Sequence, residues 1–186
     1  MKLDSRKTLL LLGAVCTLPV VASYLTYYVV KPQARMNYGE LITPGPLPPT
    51  RFADLQGKPF TFEQLRGRWV MVTVDGGECD ARCRQKLYNM RQVRTAQGKE
   101  MERIERVWLV SDAVAPPAQL LRDYEGTYVV RDSGAALAVL PAADNRAAHV
   151  YLIDPLGNLM LRFPENPDPK RMIKDFERLL KYSRIG

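Results

Sequence analysis

An uncharged apolar run near the N-terminus is the clearest pattern along the chain. It extends from Thr8 to Val30 and lies between two lysines. A helix that crosses a bilayer needs roughly 20 apolar residues, so the run predicts a transmembrane helix at residues 8–30. Because basic flanks favour the cytoplasmic side, residues 1–7 are expected to be cytoplasmic and the rest of the chain to lie outside the cytoplasm.

A cleaved signal peptide and a lipoprotein signal both fit the apolar run less well than a membrane span does. The apolar core of a cleaved signal peptide spans about 7 to 15 residues and ends near an Ala-x-Ala-like site, whereas this run is longer and lacks such a site. A lipoprotein signal would make Cys16 the lipid-bearing residue, but Val15 stands where a small residue is required. Cys16 is therefore expected to be a small apolar residue inside the span.

Proline dominates the segment after the span. Residues 31–49 show little periodicity, which is typical of a semi-rigid extended tether. The prolines that support this interpretation are Pro44, Pro46, Pro48 and Pro49. The sequence thus predicts a tether at 31–49 and one folded domain at 50–186.

Apolar runs separated by glycine, proline and polar residues predict the elements of this domain. Strands apolar on both faces, typical of a covered sheet, are predicted at Trp69–Val74, Val107–Val110 and Val150–Ile153. Shorter extended pieces are predicted around the Gln56-Gly57 turn, at Tyr128–Val130 and at Leu159–Phe163. Helices are predicted at 62–67, 79–98, 117–124, 133–140 and after the Asp168-Pro169 cap, with Met172, Ile173, Phe176, Leu179 and Leu180 buried in the last. This order describes an α/β domain with a mixed central sheet covered on both sides by helices.

Charge adds little to the choice of function. The net charge of +7 at pH 7 is partly due to basic residues that flank the span, so no nucleic-acid partner is expected. The predicted helix after the first strand carries a basic face, which is either solvated or contacts an acidic protein or an anionic membrane surface. The residues of this face are Arg82, Arg84, Lys86, Arg91 and Arg94. No phosphate-binding glycine motif or zinc-hydrolase spacing is found.

The segment Cys79-Asp80-Ala81-Arg82-Cys83 carries the candidate chemistry. Two cysteines four positions apart at the start of a helix are expected to lie one turn apart on the same face, with their sulfurs facing solvent. Helix N-termini favour thiolate over thiol, and thiolate is both the nucleophile of disulfide exchange and a ligand for Cu(I). Redox and copper chemistry therefore both stay open, beside a purely structural role of the pair as core residues or as a disulfide.

Several motifs together make residues 50–183 similar to the Sco (SenC) branch of the thioredoxin superfamily. They are Phe52-x-Asp54-x-x-Gly57, Leu65-Arg66-Gly67-Arg68-Trp69-Val70, Cys79-x-x-x-Cys83 and Tyr151-Leu152-Ile153-Asp154-Pro155-Leu156-Gly157. The resemblance implies a thioredoxin-like fold and a role in assembly of cytochrome c oxidase. It also implies copper binding by Cys79, Cys83 and a histidine, with an oxidase subunit or another assembly factor as the partner.

The chain departs from that family at two positions. Its only histidine, His149, lies a few residues after the place of the family's ligand, which falls near Arg146, and Cys79 is not followed by proline. His149 still falls next to the loop that faces the cysteine pair in thioredoxin-like folds, which makes it a candidate copper ligand or acid–base group.

Three hypotheses follow for a protein anchored in a bacterial plasma membrane with its domain on the periplasmic side. The first is a copper metallochaperone that binds the metal through Cys79, Cys83 and His149. The second is a thiol–disulfide oxidoreductase of TlpA or thioredoxin type, in which Cys79 attacks and Cys83 resolves. The third is a non-catalytic assembly or docking protein, so whether the chain is an enzyme stays open.

Overall fold

Two units make up the chain in the computed structural model, which describes residues 5–30, 37–47, 52–131, 140–141, 145–183 and 185. The first unit is Met1–Met36 and the second is Asn37–Gly186. The helix predicted at 133–140 lies outside the described residues except for Leu140.

The apolar run forms helix α1, Ser5–Leu25, which continues as a π-helical turn at Thr26–Val30. The 23-residue stretch Arg6–Tyr28 contains an 18-residue window with a mean hydropathy of 2.0 and is long and apolar enough to cross a membrane. At 1.5 Å per residue it spans about 35 Å, compared with about 30 Å of hydrocarbon in a bilayer. Tyr24, Tyr27 and Tyr28 cluster near its end, with the Tyr24 and Tyr28 ring centroids 4.4 Å apart.

Eight strands of the described residues form one mixed sheet in the order β1-β8-β7-β4-β5-β6-β2-β3. The strands are β1 Glu40–Pro46, β2 Phe52–Asp54, β3 Pro59–Phe60, β4 Trp69–Asp75, β5 Ile104–Val110, β6 Thr127–Arg131, β7 Val150–Ile153 and β8 Asn158–Arg162. Strand β5 runs parallel to β4 and β6, and the other pairs are antiparallel. The predicted mixed sheet is confirmed.

The central strands are buried because most residues on both of their faces are apolar. Every residue of β4, β5 and β7 is buried, as the absence of polar alternation predicts. One face packs against α2 and α4 through residues such as Met71, Met90 and Phe176, and the other packs against Leu65 and Leu140.

The α-helices of the folded unit follow the predicted order. They are α2 Ala81–Ala96, α3 Ala118–Asp123 and α4 Pro169–Tyr182, and 3-10 turns occur at Phe62–Leu65, Gly98–Arg103 and Arg146–Ala148. The Asp168 carboxylate accepts the Lys170 N–H at 2.9 Å and caps α4 as predicted. On the predicted stripe, Met172, Phe176 and Leu180 are buried, while Ile173 and Leu179 are partly buried.

The predicted tether at 31–49 is wrong for its second half. Residues Glu40–Pro46 form β1, which pairs with β8 at the edge of the sheet, and the folded unit begins at Asn37 rather than at residue 50. The Asp175 carboxylate, 3% exposed, accepts the N–H groups of Tyr38 and Gly39 at 2.8 and 2.9 Å. This buried carboxylate fixes the chain where it enters the sheet.

Candidate functional site

The two cysteines lie where β4 passes into α2. Cys79 precedes the helix and Cys83 lies in its first turn, and a disulfide joins them with a Cα–Cα distance of 5.0 Å. Asp80 caps the helix, because its carboxylate accepts the Cys83 N–H at 2.9 Å. The pair therefore bridges the start of the helix, rather than lying one helical turn apart on a single helix face.

The backbone of Cys79 has a left-handed conformation, with φ at 50°. This conformation costs a residue with a Cβ roughly 1–2 kcal/mol. Two hydrogen bonds hold it in place: its N–H donates to the Gly76 carbonyl, and its carbonyl accepts from Arg84 Nε, both at 3.1 Å. This conformation directs the Cys79 side chain back toward Cys83.

Both cysteines are buried, so the expectation that their sulfurs face solvent is wrong. Cys79 is 2% and Cys83 is 1% exposed. They pack in an apolar cluster whose other buried members are Leu87, Trp108, Val110 and Leu120. The disulfide thus lies at the end of the sheet under the segment that follows β5.

That covering segment, Ser111–Val114, is fastened to the Gly76-Gly77 turn. The Asp112 carboxylate accepts the N–H groups of Gly77 at 2.9 Å and of Val114 at 3.1 Å. A Cβ on Gly77 would collide with the Val114 carbonyl oxygen, so the glycine permits this close approach. A pocket of about 480 Å³ opens between these segments, and both cysteines line it.

A buried ion pair lies beside the disulfide. Lys86 Nζ lies 2.7 and 2.9 Å from the two carboxylate oxygens of Asp75, which lines the same pocket, and it also donates to the Ala147 carbonyl. Thr73 donates its hydroxyl to Asp75 at 2.8 Å. Lys86 is 4% and Asp75 is 8% exposed, so the two charges depend on each other for their stability.

Burial shifts both members of the pair toward their neutral forms. Desolvation raises the pKa of Asp75 above 3.8, although Lys86 and Thr73 act in the opposite direction. Desolvation likewise lowers the pKa of Lys86 below 10.5, although Asp75 opposes it. A carboxyl group with a raised pKa beside a disulfide can hold a proton that a thiol gives up or takes back.

The prediction that Lys86 belongs to a basic face of α2 that is solvated or contacts a partner is therefore wrong, because Lys86 is buried. Arg84, Arg91 and Arg94 also donate to backbone carbonyls, of Cys79, Asp123 and Ile104. Lys86 and Asp75 went unnoticed as a functional pair in the sequence. Two signals could have found them: Lys86 shares the helical spacing of Cys83, Met90 and Val93, and Asp75 ends an otherwise apolar strand.

The structure does not bring His149 together with the cysteines. Its Nδ1 donates to the Phe163 carbonyl at 2.8 Å, and its ring centroid lies 6.2 Å from that of Tyr151. At the position expected for the family's histidine, Arg146 donates through Nε to the Leu140 carbonyl at 3.0 Å.

Within the described ranges, no three His, Cys, Asp or Glu side chains lie close enough together to hold a metal ion. Among the described residues, Cys79, Cys83 and His149 therefore do not form a three-ligand group. The disulfide occupies both sulfurs here, and copper binding requires them as free thiolates.

The profile of a family described as "transmembrane-like, thioredoxin-like, C-terminal domain" matches residues 69–183. A comparison with curated protein sequences finds no match.

Solved structures confirm the predicted fold and its likeness to Sco proteins. Copper-bound Sco1 from yeast has a TM-score of 0.64 at 19% identity, covering 76% of this chain and 96% of its own. BsSco, described as a Sco-family cytochrome c oxidase assembly protein with a disulfide switch, has a TM-score of 0.55 at 13% identity, covering 77% and 99%. A thioredoxin-family thiol:disulfide interchange protein from Chlorobium tepidum TLS has a TM-score of 0.55 at 20% identity, covering 75% and 96%. At these identities the likeness concerns the fold.

Proposed function

The chain belongs to the family of transmembrane-like, thioredoxin-like C-terminal domains, and we propose that it is a membrane-anchored thiol–disulfide oxidoreductase acting through Cys79 and Cys83. One observation carries this proposal. The two cysteines form a disulfide across the start of α2, on the lining of a pocket that also contains the Asp75 carboxylate. A pair held within bonding distance at a helix N-terminus has the geometry that disulfide exchange requires.

The reaction transfers two electrons and two protons. In the reducing direction, the Cys79 thiolate attacks a partner disulfide, forms a mixed disulfide and expels one partner thiolate. The Cys83 thiolate then attacks Cys79 Sγ, which forms the Cys79–Cys83 bond and releases the second partner thiolate. The protons of the two protein thiols end on the partner thiols, and the reverse sequence oxidises a partner dithiol.

Asp75 and Asp80 have separate roles in this proposal. Asp75 has a raised pKa because of its burial, so it takes up the proton of a buried thiol as that thiol becomes the nucleophile. Asp80 holds the Cys83 N–H at 2.9 Å and keeps the first turn of α2 in place while the disulfide opens. Lys86 is a positioning residue that orients the Asp75 carboxylate.

The apolar helix supports a location in a membrane. We propose that α1 anchors the chain in a bacterial plasma membrane with its N-terminus in the cytoplasm, because disulfides persist in oxidising compartments such as the periplasm. The predicted resemblance to Sco proteins makes a cytochrome c oxidase subunit, or another assembly factor, the expected partner. The exchange reaction itself includes no copper step.

A redox titration of the full-length protein in nonionic detergent tests the proposal. Mixtures of reduced and oxidised dithiothreitol set the potential, and a maleimide reagent of high mass counts free thiols by a gel shift. We expect one reversible two-electron transition, with a tenfold change of the ratio per roughly 30 mV. Cys16→Ser should keep the transition, whereas Cys79→Ser and Cys83→Ser should each abolish it.

Trapping with glutathione disulfide assigns the roles of the two cysteines. Reduced Cys83→Ser protein should form a stable mixed disulfide at Cys79, and reduced Cys79→Ser should react more slowly at Cys83. Absence of a reversible transition in the wild type would refute the exchange reaction. A Cys79→Ala, Cys83→Ala double variant that fully complements a deletion strain would instead support the docking hypothesis.

A further inference from the structure

The last helix, α4, carries the net positive charge of the folded unit. Its 14 residues contain five cationic side chains and two carboxylates. The rest of that unit, residues 37–168 and 183–186, contains equal numbers of cationic side chains and carboxylates, 17 of each. Asp175 is buried and binds backbone N–H groups. In α4, which the structure describes from end to end, Glu177 is therefore the only exposed carboxylate.

The cations of α4 share one side of the helix. Lys170, Lys174 and Lys181 are spaced by four and then seven positions, which places them in line along roughly 16 Å of an α-helix. Met172 and Phe176 lie on the other side, where they are buried. Within the described part of the chain, none of the three lysines forms an ion pair. We define the α4 basic face by its exposed cations Lys170, Arg171, Lys174, Arg178 and Lys181.

An exposed aromatic residue lies at the end of the α4 basic face. Tyr182 is 78% exposed, and Ile185, just beyond the helix, is 52% exposed. The Lys181 amine lies 5.7 Å from the centroid of the Tyr182 ring. Tyrosine beside lysine suits a membrane–water interface, because the ring can enter the headgroup region while the amine stays in water.

The start of the folded unit is fixed to the same helix. Tyr38, the second residue of that unit, accepts the Asp168 N–H with its hydroxyl at 3.0 Å, and the Arg171 guanidinium lies 4.0 Å from its ring centroid. Six residues, 31–36, precede the folded unit and follow Val30, the last residue of the apolar run. A connection of that length spans at most roughly 25 Å. Covalent geometry therefore limits how far from a membrane the chain can enter the folded unit beside Arg171.

We propose that the α4 basic face docks on the surface of the membrane that anchors α1, by binding anionic phospholipid headgroups. The inference rests on the proposed membrane anchor and does not involve the thiol chemistry. Five cations on one side of a helix, opposed by Glu177 alone, are attracted to an anionic surface. The short connection favours lipid over a soluble acidic protein, because it keeps the headgroups at a high effective concentration next to this face.

Acetylation of the full-length protein in lipid nanodiscs tests the docking. One preparation contains phosphatidylcholine alone, and the other contains equimolar phosphatidylcholine and anionic phosphatidylglycerol. Both are treated briefly with an uncharged acetylating ester, and mass spectrometry gives the reaction rate of each lysine. We expect Lys170, Lys174 and Lys181 to react about threefold or more slowly in the anionic discs, and the difference to disappear at about 1 M salt, which screens surface charges.

Lys58 serves as the control within the same protein. It is exposed in the turn between β2 and β3, at the opposite edge of the sheet from β1, and should react at the same rate in both discs. Charge reversal gives a second readout: Lys174→Glu should speed acetylation of Lys170 in the anionic discs about twofold or more, because it removes attraction at the centre of the face. The matched variant Lys58→Glu should leave the Lys170 rate unchanged.

Equal rates of the three lysines in the two discs, with the protein retained in both, would overturn the docking and leave the anchor intact. Slowing of Lys58 by the same factor would also overturn it, because it would show a general effect of the anionic disc. Slowing by added polyglutamate but not by phosphatidylglycerol would replace lipid with an acidic protein partner. Failure to copurify with either disc would refute the anchor and the docking together, whereas the redox titration tests the exchange reaction independently.

Discussion

Lys86→Met should destabilise the protein by about 3–5 kcal/mol at pH 7, because it leaves a buried carboxylate without its counter-ion. Lys86 Nζ contacts both oxygens of Asp75 at 2.7 and 2.9 Å and donates to the Ala147 carbonyl as well. Methionine fills a similar volume but supplies no donor. Among the hydrogen bonds that the described residues make to the Asp75 carboxylate, only the one from Thr73, at 2.8 Å, then remains.

The loss should depend on pH in a defined direction. Burial already raises the pKa of Asp75, and Lys86 partly offsets that rise. Without Lys86 the offset disappears and the pKa rises further. An acid whose pKa is higher in the folded state contributes stability below its unfolded pKa, near 3.8, and that contribution is lost as the pH rises through the folded pKa. The variant should therefore approach the wild type as the pH falls from 7 towards 5.

Urea unfolding of the full-length protein in nonionic detergent measures the effect. Trp108 serves as the fluorescent probe, since its indole N–H donates to the Asp75 carbonyl at 3.4 Å. Lys99→Met is the matched control: the Lys99 side chain is 91% exposed, and the change should cost less than about 0.5 kcal/mol. A loss below about 1 kcal/mol for Lys86→Met, or an equal loss at pH 5 and pH 7, would refute the reasoning.

Three further predictions concern different contacts of the fold. Asp175→Asn weakens two charge-assisted bonds at the start of the first strand and should cost roughly 2–3 kcal/mol in urea unfolding. Gly77→Ala should push the covering segment away and speed reduction of the disulfide by a phosphine several-fold, whereas Gly45→Ala, with no heavy atom nearer than 4.0 Å, should not. His149→Gln should leave the redox midpoint and the Cu(I) affinity of the reduced protein unchanged, and copper binding that depends on this histidine would contradict the assignment.

The interior of the sheet could be predicted from the sequence, whereas the edge strand β1 could not. Strands β4, β5 and β7 each contain a run of at least four residues that is apolar on both faces, and such a run is typical of a strand covered on both sides. Strand β1 contains Pro44, Gly45 and Pro46, which are typical of a linker. An edge strand tolerates proline, because one row of its N–H groups needs no partner, so the same composition suits both. The difference lies in contacts with β8, far away in sequence.

The part of the site that is set by local spacing could be predicted from the sequence, whereas the part that is set by tertiary packing could not. The cysteine pair and its place at a helix start follow from spacing, so Cys79 and Cys83 could be identified directly. The sequence does not reveal which residue pairs with Lys86 or that both sulfurs are buried, because both features depend on how α2 packs on β4 and β5. The position of His149 is likewise a matter of tertiary contact, since its bond to the Phe163 carbonyl joins residues 14 positions apart.

The disulfide itself should contribute little to the stability of the fold, which is what a redox pair requires. The cysteines are four positions apart, and closing so short a loop stabilises by about 2 kcal/mol in the chain-entropy treatment. The left-handed backbone of Cys79 is held by hydrogen bonds to Gly76 and Arg84, which do not depend on the disulfide. Since the bond itself contributes so little, both redox states should be folded.

Reduction should accordingly lower the free energy of unfolding by less than about 2 kcal/mol. Urea unfolding with and without a phosphine reductant measures this difference, with the Cys16→Ser protein as the background that removes the third thiol. The stability difference between the two redox states is linked to the reduction potential. Each difference of about 1.4 kcal/mol moves the reduction potential of the folded pair by about 30 mV from that of the same pair in the unfolded chain. If reduction lowered the free energy of unfolding by more than about 4 kcal/mol, the bond would be a structural disulfide instead. The protein could not stay folded in both redox states if its fold depended that strongly on the bond.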